Sequence, residues 1–440
     1  MDSKHKSSRI KDLVQVSLSL AHGPHSSLRP DNSSGDGPTH PRPSPPPFRV
    51  SSVHTLTVSP QFLASTQGDL SNITAPPMFL APTSVVEVGR CWAEHPAIFA
   101  APALEPDPAR RALLVLTHML SSLRSQLYIA GSPTVSIKKP LNAFLGELFL
   151  ASFVDAPAKA TTTLVSEQVS HHPPITAMHV SDTANGIRAD GYARVEMSFS
   201  GTVDIRQVGH AVLHIDRYAE DYLIPLPAVQ VRGFLGGRLY PEITGVYTIP
   251  SSGAYVSEIR FSGAGLCWGG RKNGFTAVVF RRDDPRRAPV YSLEGVWSDA
   301  WTVRDARGDV VDTFRLDEAR VAPLDMAPLD AQDPWESKRA WRDVAAGLRA
   351  GDVRAAVAAK TELERAQREM RAAEADEGRT WAPLLFKSAP GAKHDVFHRL
   401  AEGMEGWEHL YDERTKGVWR VDEAALTTQR PFRGELTPLG

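Results

Sequence analysis

The chain of 440 residues has very little cysteine and no long apolar run. Cys91 and Cys267 are its only cysteines, too few for a disulfide framework or for a thiolate zinc site. We therefore expect a reducing, cytoplasmic environment. Although 42% of the residues are hydrophobic, no run approaches the roughly 18 apolar residues that a membrane span requires.

A charge excess of one sign is also missing. The sequence has 49 Lys and Arg against 51 Asp and Glu, which gives a formal net charge of -2. Such a chain has no general attraction for nucleic acid or for an anionic membrane, and we expect no nucleic-acid partner. Any anion must be bound by a local group of basic side chains.

Composition divides the chain into three parts. Residues 22–50 are rich in Pro, Ser, Gly and His, with few large apolar side chains to offset the entropy of ordering them. We predict a flexible extension over residues 1–55, one domain over residues 56–390 and a mixed tail over residues 391–440. A very short helix is expected after Ser59 and Pro60, within the first part of the domain.

The domain combines a few helices with many short strands. Apolar spacing predicts a helix over residues 110–128, one helix over residues 334–351 and a longer helix between Asp352 and Gly378. Between the first and second helices, β-rich runs are separated by turn pairs such as Asn185-Gly186, which is typical of an antiparallel barrel or strongly curved sheet. We expect an α+β fold and exclude Rossmann and TIM arrangements, because those require a helix after nearly every strand.

The segment EQVSHHPP, residues 167–174, carries the densest chemistry. Metal chelation by both histidines is disfavoured, because adjacent residues of an extended chain point to opposite faces and Pro173 disfavours a helix at His172. Catalysis needs a partner, and Ser170 or Glu167 is too common to indicate one. A turn whose histidines satisfy backbone groups stays possible, whereas anion binding explains both the imidazoles and the rigid prolines.

Two further basic groups are candidates for the same anion. Lys138, Lys139 and Asn142 flank Pro140 after the first predicted helix. On the last predicted helix, Lys360, Glu364 and Arg368 are spaced four apart and form one ridge. By pattern alone, the ridge is better explained as a solvated ladder of weak ion pairs.

These segments together resemble the lipid-transfer domain of the oxysterol-binding protein family, most closely its short fungal members without a separate membrane-targeting domain. EQVSHHPP is that family's signature. The other similar segments follow in the family's order over roughly residues 60–380. They are SNITAPPMFLAPTSVVEVGRCWAEHP, KKPLNAFLGELF, GRKNGFTAVVF, ESKRAWRDVAAGLRAGD and AKTELERAQREMR.

The resemblance implies a large antiparallel, near-complete β-barrel that encloses an apolar tunnel, with an N-terminal lid and flanking helices. It implies a protein that takes up a sterol or phosphatidylinositol 4-phosphate, one at a time, and exchanges them between membranes. By the same similarity, one set of residues binds the inositol phosphate headgroup, with Leu141 acting through its backbone. That set is Lys139, Leu141, Asn142, His171, His172, Lys360, Glu364 and Arg368.

The lid and the tunnel base follow from the same resemblance. The lid is expected at residues 60–74, where Phe62, Leu63, Leu70 and Ile73 supply apolar cover. At the tunnel base, Gln126 and Leu127 are expected near a sterol hydroxyl. The sequence departs from the family where Ala143 replaces a proline and Leu127 an aromatic residue, which makes sterol less certain than phosphoinositide as cargo.

The resemblance implies no enzyme, no cofactor and no metal. We expect a monomer in the cytoplasm that contacts organelle membranes transiently, at the endoplasmic reticulum, Golgi or plasma membrane. One alternative is a lipid-responsive regulator that binds cargo and signals through a partner. Another is a lipid esterase or phosphatase with His171 as base, against which the sequence has no Gly-X-Ser-X-Gly or Cys-X5-Arg motif.

Overall fold

A computed structural model describes residues 79–199, 202–233, 238–263, 270–402, 407 and 410–440. Phe62, Leu63, Leu70 and Ile73, which form the predicted lid, lie outside the described residues.

Strands make up most of the regular structure in this part of the chain. In order they are β1 (Leu80–Ser84), β2 (Lys139–Leu141), β3 (Leu148–Asp155), β4 (Ala160–His171), β5 (Pro174–Asp182), β6 (Ile187–Phe199), β7 (Val203–Ile215), β8 (Glu220–Pro225), β9 (Val229–Arg232), β10 (Tyr240–Ile243), β11 (Gly245–Pro250), β12 (Tyr255–Phe261), β13 (Gly274–Arg281), β14 (Pro289–Val296), β15 (Ala300–Asp305), β16 (Val310–Arg315), β17 (Leu324–Asp325), β18 (Phe386–Ala389) and β19 (Val418–Val421).

The α-helices lie before and after the strand-rich region. They are α1 (Arg90–Ala93), α2 (Pro96–Leu104), α3 (Pro108–Leu127), α4 (Ser337–Ala340), α5 (Arg342–Ala350), α6 (Val353–Asp376), α7 (Asp395–Ala401) and α8 (Leu410–Thr415). In the described part of the chain, no helix is both long and apolar enough to cross a bilayer.

The strands form two large sheets. The first has the order β10-β9-β7-β6-β5-β4-β3-β17, with β8 also paired to β7, and the second runs in sequence from β11 to β16. All ladders within these two sheets are antiparallel, as in the β6–β7 pair, which runs from Ile187 opposite Ile215 to Phe199 opposite Val203. The expected α+β class with antiparallel sheets is confirmed.

The first sheet is covered on both faces. A first core packs α1 to α3 against both sheets, and a second core packs α5, α6 and the C-terminal residues against the first sheet. In β4, Leu164 belongs to the first core and the neighbouring Val165 to the second. This double cover explains why residues 164–170 of β4 are buried at every position, since a strand covered on both faces has no side for water.

Local signals in the sequence predict where α3 and α6 begin and end. Asp107 caps α3 by accepting a hydrogen bond from the Ala109 amide over 3.1 Å, and Pro108 occupies the first turn. Asp352 caps α6 in the same way, and Gly378 follows the helix with positive φ. Both predicted helices are confirmed.

The prediction of one helix over residues 334–351 is wrong. The chain forms α4 and α5, and Trp341 between them leaves helical geometry, with φ -95° and ψ 8°. The break accompanies burial of the Trp341 indole in the second core, where its ring lies 6.0 Å from the ring of Phe144. Apolar spacing cannot reveal such a break, because both helices present apolar residues to the same core.

Candidate functional site

An apolar cavity of about 350 Å³ lies against the first sheet. Side chains of β5, β6, β7 and β9 provide much of its wall, among them Met178, Val195, Ile205 and Val229. Gly191 also lines the cavity, and a Cβ atom placed there would lie 2.9 Å from the methyl carbon of Met178. The missing side chain at Gly191 therefore leaves room for an apolar ligand.

Polar side chains interrupt this apolar wall in two groups. The first group comes from β2, from the turn after it and from the end of β4, and includes Lys139, Asn142 and His171. The second group is Gln126 at the end of α3 and Gln207 on β7. The Gln126 amide donates to Gln207 Oε1 over 3.2 Å, and Gln207 donates to the Pro227 carbonyl over 2.9 Å.

A β-bulge points His171 into the cavity. Gln168 pairs with Thr176 and Ser170 pairs with Ile175, so Val169 is an extra residue in β4. In regular alternation, His171 would face the opposite side from Gln168, because the two are an odd number of residues apart. The extra residue reverses the alternation, so that both Gln168 and His171 line the cavity.

His171 also connects three parts of the chain. Its ring centroid lies 4.7 Å from that of His172. Burial lowers the pKa of His171, and the neighbouring His172 adds to this effect, whereas Ala143 and Glu364 of α6 oppose it. The β4 end, the turn and α6 therefore lie close enough to influence one imidazole.

A side chain of β2 and one of the turn after it orient each other. The Lys139 ammonium donates to Asn142 Oδ1 over 2.9 Å. Leu141 has a fully buried side chain in the second core and does not line the cavity, although its strand β2 pairs with β1. Lys139 and Asn142 are thus held as a pair in the wall of the cavity, with Leu141 as their apolar anchor.

The three residues of the α6 ridge have different exposure. The side chain of Lys360 is 11% exposed and contacts Glu364, whose side chain is 37% exposed, and Arg368 is exposed. Since four residues turn an α-helix by about 400°, each step along the ridge moves the side chain about 40° around the axis. Lys360 therefore lies at the edge of the buried face of α6 and Arg368 lies out in solvent.

The structure brings together some of the predicted site residues. Lys139, Asn142, His171, Gln126 and Leu127 line the same cavity. His172 is exposed, and neither it nor the three ridge residues of α6 form part of the cavity wall. Sequence reasoning did not assign Gln168 or Gln207 to the site; Gln168 stands inside EQVSHHPP, whereas nothing around Gln207 distinguishes it from other strand residues.

The chain matches a family model described as oxysterol-binding protein over residues 61–346. Lys360, Glu364 and Arg368 lie beyond that match. The chain is 46% identical over 380 residues to the probable transporter efuK of Hormonema carpetanum, a match that covers 86% of this chain and 54% of that protein. It is 36% identical over 331 residues to the protein kes1 of Schizosaccharomyces pombe, covering 74% of this chain and 84% of kes1.

Solved structures with a similar fold include two ORD domains. The Osh1 ORD domain in complex with cholesterol superposes with a TM-score of 0.61 at 19% identity, covering 76% of this chain and 84% of that chain. The Osh3 ORD from Saccharomyces cerevisiae in complex with PI(4)P gives 0.59 at 20% identity, covering 75% and 86%. Through the family match, which covers more than half of its length, the chain belongs to the oxysterol-binding protein family.

Proposed function

We propose that the chain binds a sterol or phosphatidylinositol 4-phosphate in the apolar cavity and exchanges these lipids between membranes. The observation that carries this proposal is the cavity itself, whose mainly apolar wall also contains the polar side chains of Lys139, Asn142 and His171. The similar Osh1 and Osh3 structures are complexes with these two ligand classes, cholesterol and PI(4)P.

The physical need for such a cavity follows from the cargo. Moving one methylene group from an apolar environment into water costs about 0.8 kcal/mol, so a lipid with dozens of carbons requires cover while it crosses water. The apolar wall supplies that cover for the hydrocarbon part of the lipid, and the cationic and imidazole groups bind its phosphate groups. Lipid exchange needs no bond to form or break, and in this proposal the protein is not an enzyme.

The near-complete barrel is part of this proposal. Tyr222 of β8 forms an isolated antiparallel bridge with Ser251, directly after β11, and so connects the first sheet to the second. In a barrel made of both sheets, β16 and β17 would be the end strands on either side of the remaining gap. Residues 60–74 would then act as the lid, with Phe62, Leu63, Leu70 and Ile73 covering the opening.

The headgroup set extends beyond the cavity wall. In this proposal, Lys139, Asn142, His171 and His172 bind the phosphates with the Leu141 backbone. Lys360, Glu364 and Arg368 approach from α6, on which Glu364 already influences His171. Gln126 and Leu127 line the part of the cavity that would take the sterol. The protein would act as a monomer in the cytoplasm, with transient contact at the endoplasmic reticulum, Golgi or plasma membrane.

A transfer assay between donor and acceptor liposomes tests this function. Labelled sterol or phosphatidylinositol 4-phosphate is placed in the donor, and we expect the protein to deliver each to the acceptor chemically unchanged. Uptake of neither cargo would overturn the proposal, and so would conversion of the cargo into a product. Deletion of residues 60–74 should keep the fold but shorten lipid retention in solution, and unchanged retention would reject the lid.

A further inference from the structure

The C-terminal segment, defined as residues 381–402, 407 and 410–438, packs against the outer side of the strand, turn and helix that carry the proposed headgroup residues. The buried Glu167 carboxylate of EQVSHHPP accepts hydrogen bonds from the Leu384 amide over 2.7 Å and from the Leu385 amide over 2.8 Å. Lys416 donates to Ser170 Oγ over 2.9 Å. Glu167 and Ser170 therefore bind this segment, while Gln168 and His171 face the cavity.

Trp381 begins this segment and touches the turn after β2. A Cβ atom added to Gly146 would lie 2.2 Å from Trp381 Cζ2, and Gly146 has a φ of +81°. The position thus requires glycine for both its conformation and its space. The Gly146 amide donates to the Gln168 carbonyl over 2.9 Å, so the same contact region joins the turn to β4.

Arg433 and Arg371 extend this contact region to β4 and α6. The Arg433 guanidinium lies 3.8 Å from the centre of the Trp381 ring, and one of its nitrogens lies 3.7 Å from Glu167 Oε1. The Arg371 guanidinium of α6 lies 4.3 Å from the centre of the same ring. One indole therefore contacts the turn, the helix and, through Arg433, the strand end.

The end of the segment reinforces this attachment to α6. The Gln367 side chain of α6 donates to the Pro438 carbonyl over 2.6 Å, and the buried Trp335 indole donates to the Leu436 carbonyl over 2.8 Å. The segment thus holds α6 at two places, Arg371 and Gln367, which lie on either side of Arg368.

We propose that Trp381 and Arg433 are positioning residues of the headgroup site, which fix the distances between the turn of Asn142, the β4 end of His171 and the helix of Lys360. This inference rests on the proposed function, because it concerns the phosphate groups of that cargo. A planar guanidinium held against an indole and a carboxylate has few alternative positions, so the three elements are preorganised before the ligand arrives.

Displacement of the C-terminal segment should affect the binding of the two cargoes differently. The C-terminal segment contacts β6 through Arg414, which forms hydrogen bonds with Arg194 and Glu196, whereas the residue between them, Val195, faces the cavity, as does Ile205 of β7. A small displacement of the segment changes the geometry of the phosphate contacts but leaves that wall in place. Loss of positioning should therefore weaken phosphatidylinositol 4-phosphate binding selectively.

The test compares two arginines of the same segment. Arg433→Met removes the stacked cation beside Glu167, and Arg399→Met is the matched control, since Arg399 of α7 pairs with the buried Asp221 of β8 over 2.8 Å. Binding is measured with vesicles containing either labelled phosphatidylinositol 4-phosphate or labelled sterol. We expect Arg433→Met to lower the phosphoinositide affinity about tenfold and the sterol affinity less than twofold, and Arg399→Met to leave their ratio unchanged.

Conservative variants and one spectroscopic signal distinguish positioning from general support. Trp381→Phe keeps an aromatic face and should retain more phosphoinositide binding than Trp381→Leu. In Arg433→Met, the NMR titration of the His171 imidazole should move towards that of a solvated histidine, with no such change in Arg399→Met. If Arg433→Met does not fold, Arg433→Lys, which keeps the charge and loses the planar stack, is expected to show the same selective loss to a smaller extent.

Two results would overturn the inference. One is an unchanged ratio of phosphoinositide to sterol affinity in folded Arg433→Met or, where that variant does not fold, in Arg433→Lys. The other is an equal change of that ratio in Arg399→Met. Wild-type protein that binds neither cargo would instead refute the proposed function, so the two failures are distinguishable.

Discussion

Lys139 and Asn142 are hydrogen-bonded to each other in the wall of the cavity, with 2.9 Å between the Lys139 ammonium nitrogen and Asn142 Oδ1. Pro140 of β2 lies between them and restricts the backbone there. The pair therefore presents a cation whose position is set before any ligand binds.

Lys139→Ala should weaken phosphatidylinositol 4-phosphate binding by roughly 10- to 100-fold, because a hydrogen bond to a charged group contributes about 1.5–3 kcal/mol. Sterol binding should stay within about twofold of wild type, since the apolar wall is unchanged. Vesicle extraction with each labelled cargo measures both affinities. Arg260→Ala removes an exposed cation of β12 and serves as the control. Equal losses for both cargoes would contradict a role at the phosphate.

Replacing His171 and His172 together by Ala should reduce phosphoinositide uptake at least about a hundredfold and spare sterol uptake, because two phosphate contacts are lost at once. The same extraction assay applies. His398→Ala, at an exposed position of α7, is the matched control. If the folded double variant lost sterol uptake as well, the histidines would have a general role in the cavity.

The sequence pointed to His171 and His172 of EQVSHHPP as candidate site residues, but it did not predict where each side chain points. In a regular strand, side chains point alternately to the two faces of the sheet. The extra residue Val169 reverses that alternation between Gln168 and His171. No pattern of residues in the sequence predicts this β-bulge. The contact of Glu167 with Leu384 and Leu385 could not be predicted either, because it joins residues more than 200 positions apart.

Helices α3 and α6 were predictable because their caps and terminators are local. Asp107, Asp352 and Gly378 each act within a few residues of the helix end. The break at Trp341 and the packing of Trp381 on Gly146 depend instead on a core assembled from distant segments. Local signals thus recover the elements, and tertiary contacts decide how those elements form a site.

Gly191→Val should weaken the binding of both cargoes, unlike the headgroup variants. The added side chain would displace the Met178 methyl group, which lies 2.9 Å from the new Cβ atom, and would fill part of the cavity. Valine is well suited to a strand, so β6 should keep its pairing. We expect at least a tenfold loss for sterol and phosphatidylinositol 4-phosphate in the vesicle assay. Normal uptake of either cargo would place that cargo outside the cavity.

His118 should make the fold sensitive to acid. Burial between Trp92 and Phe99, together with nearby His95, lowers the pKa of His118 to about 3. Below about pH 6.5 the unfolded chain binds a proton at this position and the folded chain does not, so the free energy of unfolding falls as the pH falls. At pH 5 the loss from this group is about 2 kcal/mol relative to pH 7.5.

Urea unfolding of His118→Leu at the two pH values checks this effect. The variant should lose about 2 kcal/mol less than wild type on going from pH 7.5 to pH 5, because leucine cannot take up a proton. His398→Leu, at an exposed position, is the control. Identical pH dependence in His118→Leu and wild type would show that another group controls the acid response.

Phosphoinositide binding should strengthen as the pH falls, through His171. In the free protein, burial lowers the pKa of His171 below its ordinary value of about 6.5; His172 and Arg371 act in the same direction, and Glu364 and the Ala143 backbone oppose them. A phosphate beside the ring stabilises the imidazolium and raises the pKa of His171 in the complex. Binding then takes up a proton, so the affinity increases as the pH falls through the pKa of the complex and becomes constant below the pKa of the free protein.

The phosphate group itself opposes this trend, because its second ionisation lies near pH 6 and its charge decreases in the same range. Comparison with His171→Gln removes that contribution, since both proteins bind the same ligand. The ratio of wild-type to variant affinity for phosphatidylinositol 4-phosphate should therefore rise between pH 8 and pH 6, while the same ratio for sterol stays constant. A phosphoinositide ratio independent of pH would mean that His171 binds the headgroup as a neutral imidazole, and the attraction would then have to come from Lys139 and the other cations.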